Sequence, residues 1–235
     1  MNKVSSRFFV EARHLGKQVN TRDGVLTLLH DINFGVEAGM SLAILGASGS
    51  GKTTLLGLLA GLDLPTEGEV ILDGYGLNAF DEDGRAQLRA ERVGFVFQNF
   101  QLLPGLTAVE NVMLPLELAR AARPRQMAEQ VLNRVGLGQR CHHYPNQLSG
   151  GEQQRCAIAR AFATQPRVLF ADEPTGNLDS ETGRRIIELL FELNAEQDTT
   201  LVMATHDSHL SQLCQQRLYL DAGHLIEPQP GVRYG

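Results

Sequence analysis

The stretch Gly46-Ala47-Ser48-Gly49-Ser50-Gly51-Lys52-Thr53-Thr54 fits G-x-x-x-x-G-K-[ST], a loop that wraps the phosphates of a nucleotide. Its flanks supply the context that chemistry needs. Ser41-Leu42-Ala43-Ile44-Leu45 before it is short and apolar, like a buried parallel strand. Thr54-Leu55-Leu56-Gly57-Leu58-Leu59-Ala60 after it is apolar on most sides, like a buried helix. In that order the glycines turn backbone N–H groups toward an anion, and the helix start adds the positive end of its dipole. Lys52 would reach the terminal phosphates and the Thr53 hydroxyl would hold Mg²⁺, with Gly46, Ser48, Gly49, Ser50, Gly51 and Thr54 completing the cradle. The bland alternative, a glycine-rich turn that caps a helix, leaves the lysine, both hydroxyls and the flanking runs unexplained.

Outward from this loop, strand and helix signals alternate. Toward the N-terminus, Phe8–Ala12 and Leu28–Phe34 read as short strands, with Gly24 a break between them. Glu69-Val70-Ile71-Leu72 followed by Asp73-Gly74 reads as a strand and hairpin. Asp81 is a plausible cap for a polar helix to Arg92, and Val93–Phe97 is a buried strand ending at Gln98. From 99 to about 160 no strong strand appears; helical spacing runs over 107–120 and 125–135, separated by Pro124. Strands return at 168–171 and 199–204 around a helix from Ser180 to Gln197, and 217–220 with 224–226 flank a turn at Asp221-Ala222-Gly223. Alternation of this kind predicts an α/β fold with a mostly parallel sheet and a helical insertion. The residues from Pro228 to Gly235 read as a frayed tail.

Two further segments carry chemistry. Val168-Leu169-Phe170-Ala171 ends in Asp172-Glu173-Pro174, and ligands of open α/β sheets sit at the carboxyl ends of strands. Asp172 is placed to hold the Mg²⁺ that Thr53 also holds, and Glu173 to orient an attacking water. A solvated Asp-Glu-Pro turn is the competing reading, weakened by the phosphate loop elsewhere in the chain. Leu148-Ser149-Gly150-Gly151-Glu152-Gln153-Gln154-Arg155 opens a helix, with Ser149 and Glu152 spaced as a capping box. Two consecutive glycines at a helix start cost stability and make sense where something approaches the backbone closely. Ser149, Gly150 and Gly151 therefore read as a second anion site, which one nucleotide could share with the first only if two chains face head to tail.

Composition narrows the function classes. The chain has 235 residues, a net charge of −6 and 43% hydrophobic residues, as expected of a soluble globular protein. Its acidity argues against nucleic acid as the main partner. No apolar run approaches the length of a membrane span, so neither secretion nor membrane insertion is expected. Cys141, Cys156 and Cys214 lack metal-ligand spacing and read as reduced, partly buried thiols.

Gly46–Thr54, Gln98, Leu148–Arg155, Asp172–Glu173, Asn177-Leu178-Asp179 and His206 occur in the order seen in ATP-binding cassette (ABC) ATPases, and the resemblance covers nearly the whole chain. Val93–Phe100, Thr107–Val112 and Phe170–Asp179 carry a closer resemblance to the MacB/LolD/YbbA-type subgroup of bacterial ABC ATPases, most of all to its YbbA-like branch. The resemblance implies a P-loop NTPase (RecA-like) core over 1–98 and 161–235, an N-terminal antiparallel β-subdomain, and a helical subdomain over 99–160. It implies ATP and Mg²⁺ as ligands and a homodimer in which Ser149, Gly150 and Gly151 of one copy close over the γ-phosphate held by the other. Gln98 resembles the glutamine that senses the Mg²⁺ and water site, Asp179 the aspartate that communicates across the dimer, and His206 the histidine that contacts the γ-phosphate. Asp179 also suits the cap of helix 180–197. The resemblance further implies a separate transmembrane permease docking near residues 98–113, with Phe100, Leu102, Leu103 and Leu106 on offer, and a place on the cytoplasmic face of the bacterial inner membrane. Chains of the subgroup typically use closure to move periplasmic parts of the permease.

One departure stands out. Related chains often carry an aromatic residue near position 19 to stack on adenine, and Val19 is not aromatic. Apolar contact from Val19 or Val25 would discriminate less between bases. A soluble ABC ATPase of the DNA-repair or ribosome-associated type is the alternative, but those usually fuse two cassettes or insert coiled coils or zinc modules. A nucleotide-gated regulator would not need Glu173 and His206, and no Asn-Lys-x-Asp element supports a GTPase.

Overall fold

The computed structural model describes residues 3–4, 6–22 and 24–227, so the tail expected over 228–235 lies outside the described residues. The chain divides into two compact units, one of Met1–Gln87 with Thr200–Gly235 and one of Leu88–Thr199.

The first unit opens with β1 (Val10–Thr21) and β2 (Gly24–Val36), a long antiparallel hairpin in place of the short strands expected. Register shifts between Ala12 and Gln18, with His14 and Asp31 in the left-handed region at φ 48° and 43°, break the alternation of buried and exposed positions. That break made the sequence read as fragments. β3 (Ser41–Leu45) and α1 (Lys52–Leu59) follow, then β4 (Glu67–Leu72), which pairs with β1, and the short β5 (Tyr75–Gly76). α2 (Glu82–Arg92) starts where Gly84 N–H donates to Asp81 Oδ1. Later in the chain, β8 (Thr200–Thr205), α7 (Ser208–Leu213), β9 (Gln216–Asp221) and β10 (His224–Ile226) complete the unit. β3 lies between β8 and β9, parallel to both, and β10 returns antiparallel on β9. Every residue of β3 and β8 is buried, which requires the unbroken apolar runs that stood out in the sequence. α7 leaves no signal in the sequence, since six residues are too few to show a helical period; Asp207 caps it through His209 and Leu210 N–H.

In the second unit β6 (Val93–Val96) runs parallel to β7 (Val168–Asp172). Around them lie α3 (Ala108–Leu118), α4 (Pro124–Arg134), α5 (Gly150–Phe162) and α6 (Ser180–Gln197). Pro124 is the first residue of α4, where its missing N–H costs nothing. Gly94 lets α5 pack on β6: a Cβ there would lie 2.6 Å from the Ala161 carbonyl oxygen.

Candidate nucleotide-binding and hydrolysis site

The phosphate loop leaves the end of β3 and enters α1. Gly46 has no room for a side chain, since a Cβ would lie 2.2 Å from the Leu220 carbonyl and 2.5 Å from Ser50 Oγ. Gly49 and Gly51 adopt φ of 81° and 106°, a conformation that favours glycine. Gly51 offers α1 no side-chain cap, and no acidic residue occupies the first turn. The first N–H groups of the helix are thus directed into the loop with no carboxylate set against an anion. Lys52 is 5% exposed and folds back so that Nζ donates to the Gly46 and Ala47 carbonyls at 2.7 and 2.9 Å. Ser50 Oγ is buried without a hydrogen-bond partner. Ala47, Ser48 and Gly49 face solvent, as does Thr53 in the first turn, while Thr54 is half-buried. Glycine cradle, uncapped helix start, folded lysine and orphaned hydroxyl together fit a bound polyphosphate.

The same unit brings His206 to this place. In the parallel register Leu45 lies opposite Thr205, so Gly46 and His206 leave neighbouring strand ends. His206 is exposed, and Asp207 beyond it is tied to Thr205 Oγ1 through its N–H.

The carboxylates and the glutamine belong to the second unit. Asp172 ends β7 at 6% exposure, and Glu173 follows in the left-handed region at φ 43°. This turn directs Glu173 toward the loop after β6, where Gln98 Nε2 lies 3.4 Å from Glu173 Oε2. A Cβ on Gly176 would come within 3.0 Å of Gln98 Nε2 and 3.3 Å of Glu173 Oε2, so the pair packs against bare backbone.

Ser149 caps α5 as its spacing predicts. Its Oγ accepts from Glu152 N–H at 3.3 Å, while its own N–H and hydroxyl donate to Glu152 Oε2 at 2.8 and 2.9 Å. Those donors, the N–H first, hold the Glu152 carboxyl below its ordinary range. Gly151 has an internal reason to be glycine, because a Cβ would lie 2.6 Å from Thr182 Cγ2 of α6. Gly150 has only ordinary contacts at its missing Cβ, with Leu178 and Phe100. Asp179 caps α6 by accepting from Thr182 N–H at 3.0 Å, an interaction that also lowers its pKa. One threonine thus connects the Ser149 turn with Asp179.

Sequence reasoning assigned no role to Asn177, Gly176 or Arg160. Arg160 carried a readable signal as the one charge within the apolar run Cys156–Phe162. The three cysteines are free and more deeply buried than expected. Val19 pairs with Leu26 across the hairpin, whereas Val25 sits opposite Asn20. Successive strand residues face opposite ways, so Leu26 rather than Val25 shares a face with Val19.

A family model described as ABC transporter matches residues 29–176. The ABC transporter ATP-binding protein YbbA of Escherichia coli K12 is 52% identical over 220 residues, covering 93% of this chain and 96% of YbbA. The lipoprotein-releasing system ATP-binding protein LolD of Hydrogenovibrio crunogenus is 46% identical, covering 95% of this chain and 98% of LolD. Among solved structures, the dimeric post-hydrolysis state of the ATP-binding cassette MJ0796 bound to ADP and Pi superposes with a TM-score of 0.88 at 40% identity, covering 94% of this chain and 97% of that one. The phosphate cradle and the match along almost the whole chain lead to one conclusion: the protein belongs to the ABC transporter family, as an ATP-binding, ATP-hydrolysing subunit on a P-loop NTPase fold.

Proposed function

We propose that two copies of this chain hydrolyse ATP at composite sites and so drive a separate transmembrane permease at the cytoplasmic face of a bacterial inner membrane. The phosphate cradle around Gly46, Ser50 and Lys52 is the observation that carries the reading. Lys52 and the N–H groups of residues 46–54 bind the phosphates. Thr53, Asp172 and Gln98 would hold Mg²⁺; their hydroxyl, carboxylate and amide oxygens are the hard donors this ion prefers. The ion would supply charge neutralisation on the phosphates. Glu173 accepts a proton from, and orients, the attacking water, with Gln98 beside it, and His206 donates to the γ-phosphate. Ser149, Gly150 and Gly151, carried by the helical subdomain over 99–160, come from the second copy, with Asp179 linking the two. That the similar cassette MJ0796 is solved as a dimer supports the association of two copies.

No helix among the described residues is long and apolar enough to cross a membrane, so mechanical work on one passes through the partner. A groove of about 280 Å³ suits it, lined by Val93, Phe95, Phe97, Leu114 and Leu118 with Arg160 among them. It meets the expected docking region of 98–113 only at Gln101; Leu103 is exposed beside it in sequence, and Phe100, Leu102 and Leu106 are half-buried. The likeness to LolD, named for a lipoprotein-releasing system, supports work on a cargo outside the membrane rather than solute passage through it.

Phosphate release measured against protein concentration tests the composite site: specific activity rises with concentration and saturates as dimers form. A monomer that turns over at full rate, indifferent to loss of the Ser149 hydroxyl, overturns it. Groove substitutions such as L118R should abolish co-purification with solubilised membranes while leaving the isolated ATPase intact.

A further inference from the structure

The loop that carries Gln98 is gripped from two sides. Asn177 Nδ2 donates to the Gln98 carbonyl and to Asn99 Oδ1, each at 2.9 Å. From α5, the Arg160 guanidinium donates to the Phe100 carbonyl at 2.9 Å and the Gln101 carbonyl at 2.5 Å. At the Arg160 grip, Phe100 and Gln101 adopt φ of 59° and 48°, two successive non-glycine residues in the left-handed region. Such a conformation persists only where its surroundings over-determine it. Arg160 provides that constraint. Among the described residues its guanidinium pairs with carbonyls and with no carboxylate, so its charge is given over to the loop backbone. It also lines the groove, as Gln101 does.

We propose that Asn177 and Arg160 are positioning residues for ATP hydrolysis, clamping loop 98–101 so that the Gln98 amide stays against the Glu173 carboxylate. The inference rests on the roles proposed for Gln98 and Glu173. Asn177 leaves the turn that bears Glu173 and ends at the backbone of Gln98, so it ties the two halves of the pair together directly. Arg160 holds the other end of the loop from the helix that Ser149 caps. A segment seated in the groove would meet Arg160 and Gln101 and so bear on the same loop.

Steady-state ATPase kinetics of the full chain, at concentrations where activity has saturated, provide the test. Asn177 is exposed, so N177A should fold with an unchanged Tm. It should lower kcat by about tenfold, with KM within about twofold, since misplacing a reacting group costs rate rather than binding. In a Q98A background N177A should have no further effect, because its action runs through Gln98. R160K, which keeps the charge and loses the fork, should lower kcat in the same manner. Because Arg160 is half-buried and its variants could misfold, the Asn177–Gln98 cycle carries the decision. Wild-type kcat in N177A, losses from N177A and Q98A that multiply, or an altered concentration for half-maximal activity would overturn the clamp. If Q98A and E173Q themselves turn over normally, the proposed catalytic roles fall, and the clamp with them; if those variants are impaired and N177A is not, only the clamp falls.

Discussion

Gln98 Nε2 lies 3.4 Å from Glu173 Oε2, an amide donor set against the carboxylate proposed to accept a proton from water. The contact is long for a hydrogen bond, and it holds the carboxylate from one side only loosely. E173Q keeps the size of the side chain and removes the proposed base. It should bind ATP and accumulate as a stable dimer, with phosphate release reduced by at least about a hundredfold, in line with losing a general base. Size-exclusion chromatography with and without ATP, alongside a phosphate assay, checks both halves.

Gly176 borders the same pair. An added Cβ would sit 3.0 Å from Gln98 Nε2 and 3.3 Å from Glu173 Oε2, and both side chains would have to shift. G176A should therefore lower kcat by about tenfold or more while nucleotide affinity, measured by titration calorimetry, stays within about twofold.

Ser149 serves α5 as a cap whatever else it does. S149A should lose about 1 kcal/mol of stability in denaturant titration, as expected for a removed N-cap. If the hydroxyl also reaches the second copy's nucleotide, the protein concentration for half-maximal ATPase activity rises as well. A stability loss with unchanged concentration dependence would assign Ser149 to the cap alone.

The same turn predicts a pH signature. Ser149 N–H and hydroxyl hold the Glu152 carboxyl below its ordinary range. A depressed carboxylate stabilises the fold fully above its unfolded pKa, and the contribution disappears as pH falls through the folded value. Thermal melts of the wild type and E152Q should therefore differ most near neutrality and converge in acid, below the usual glutamate range. A gap that widens in acid would contradict the assignment.

Val19 and Leu26 face each other across the β1–β2 hairpin as an apolar pair with no aromatic surface. Contact of that kind reads shape weakly and hydrogen-bonding edges not at all. Competition binding should show ATP and GTP within about tenfold of each other, and a large preference for ATP would discard the reading.

Much of the site was legible because its chemistry is local. The phosphate loop, the capping box at Ser149 and the acids at the end of β7 each declare themselves within a few residues, since a tight turn or a helix start is specified by its own backbone demands. Sequence separation hid the rest. Gly151 reads in the sequence as a place where a ligand approaches, and the fold adds a second demand for glycine, since a Cβ there would lie 2.6 Å from Thr182 Cγ2 of α6. Asn177 was in view without a role, because its partners Gln98 and Asn99 lie almost eighty positions earlier. The long β1–β2 hairpin read as fragments because bulges interrupt its period of two.

The sequence by itself determined the alternating α/β order, the phosphate-binding loop and the family, since periodicity and turn chemistry are written in neighbouring residues. Only the tertiary structure decided which side chain meets which: Glu173 with Gln98, Arg160 with the strained loop, Leu26 rather than Val25 with Val19. Such meetings depend on strand register and on how helices pack, and those are set by the burial of the whole core rather than by any stretch of it.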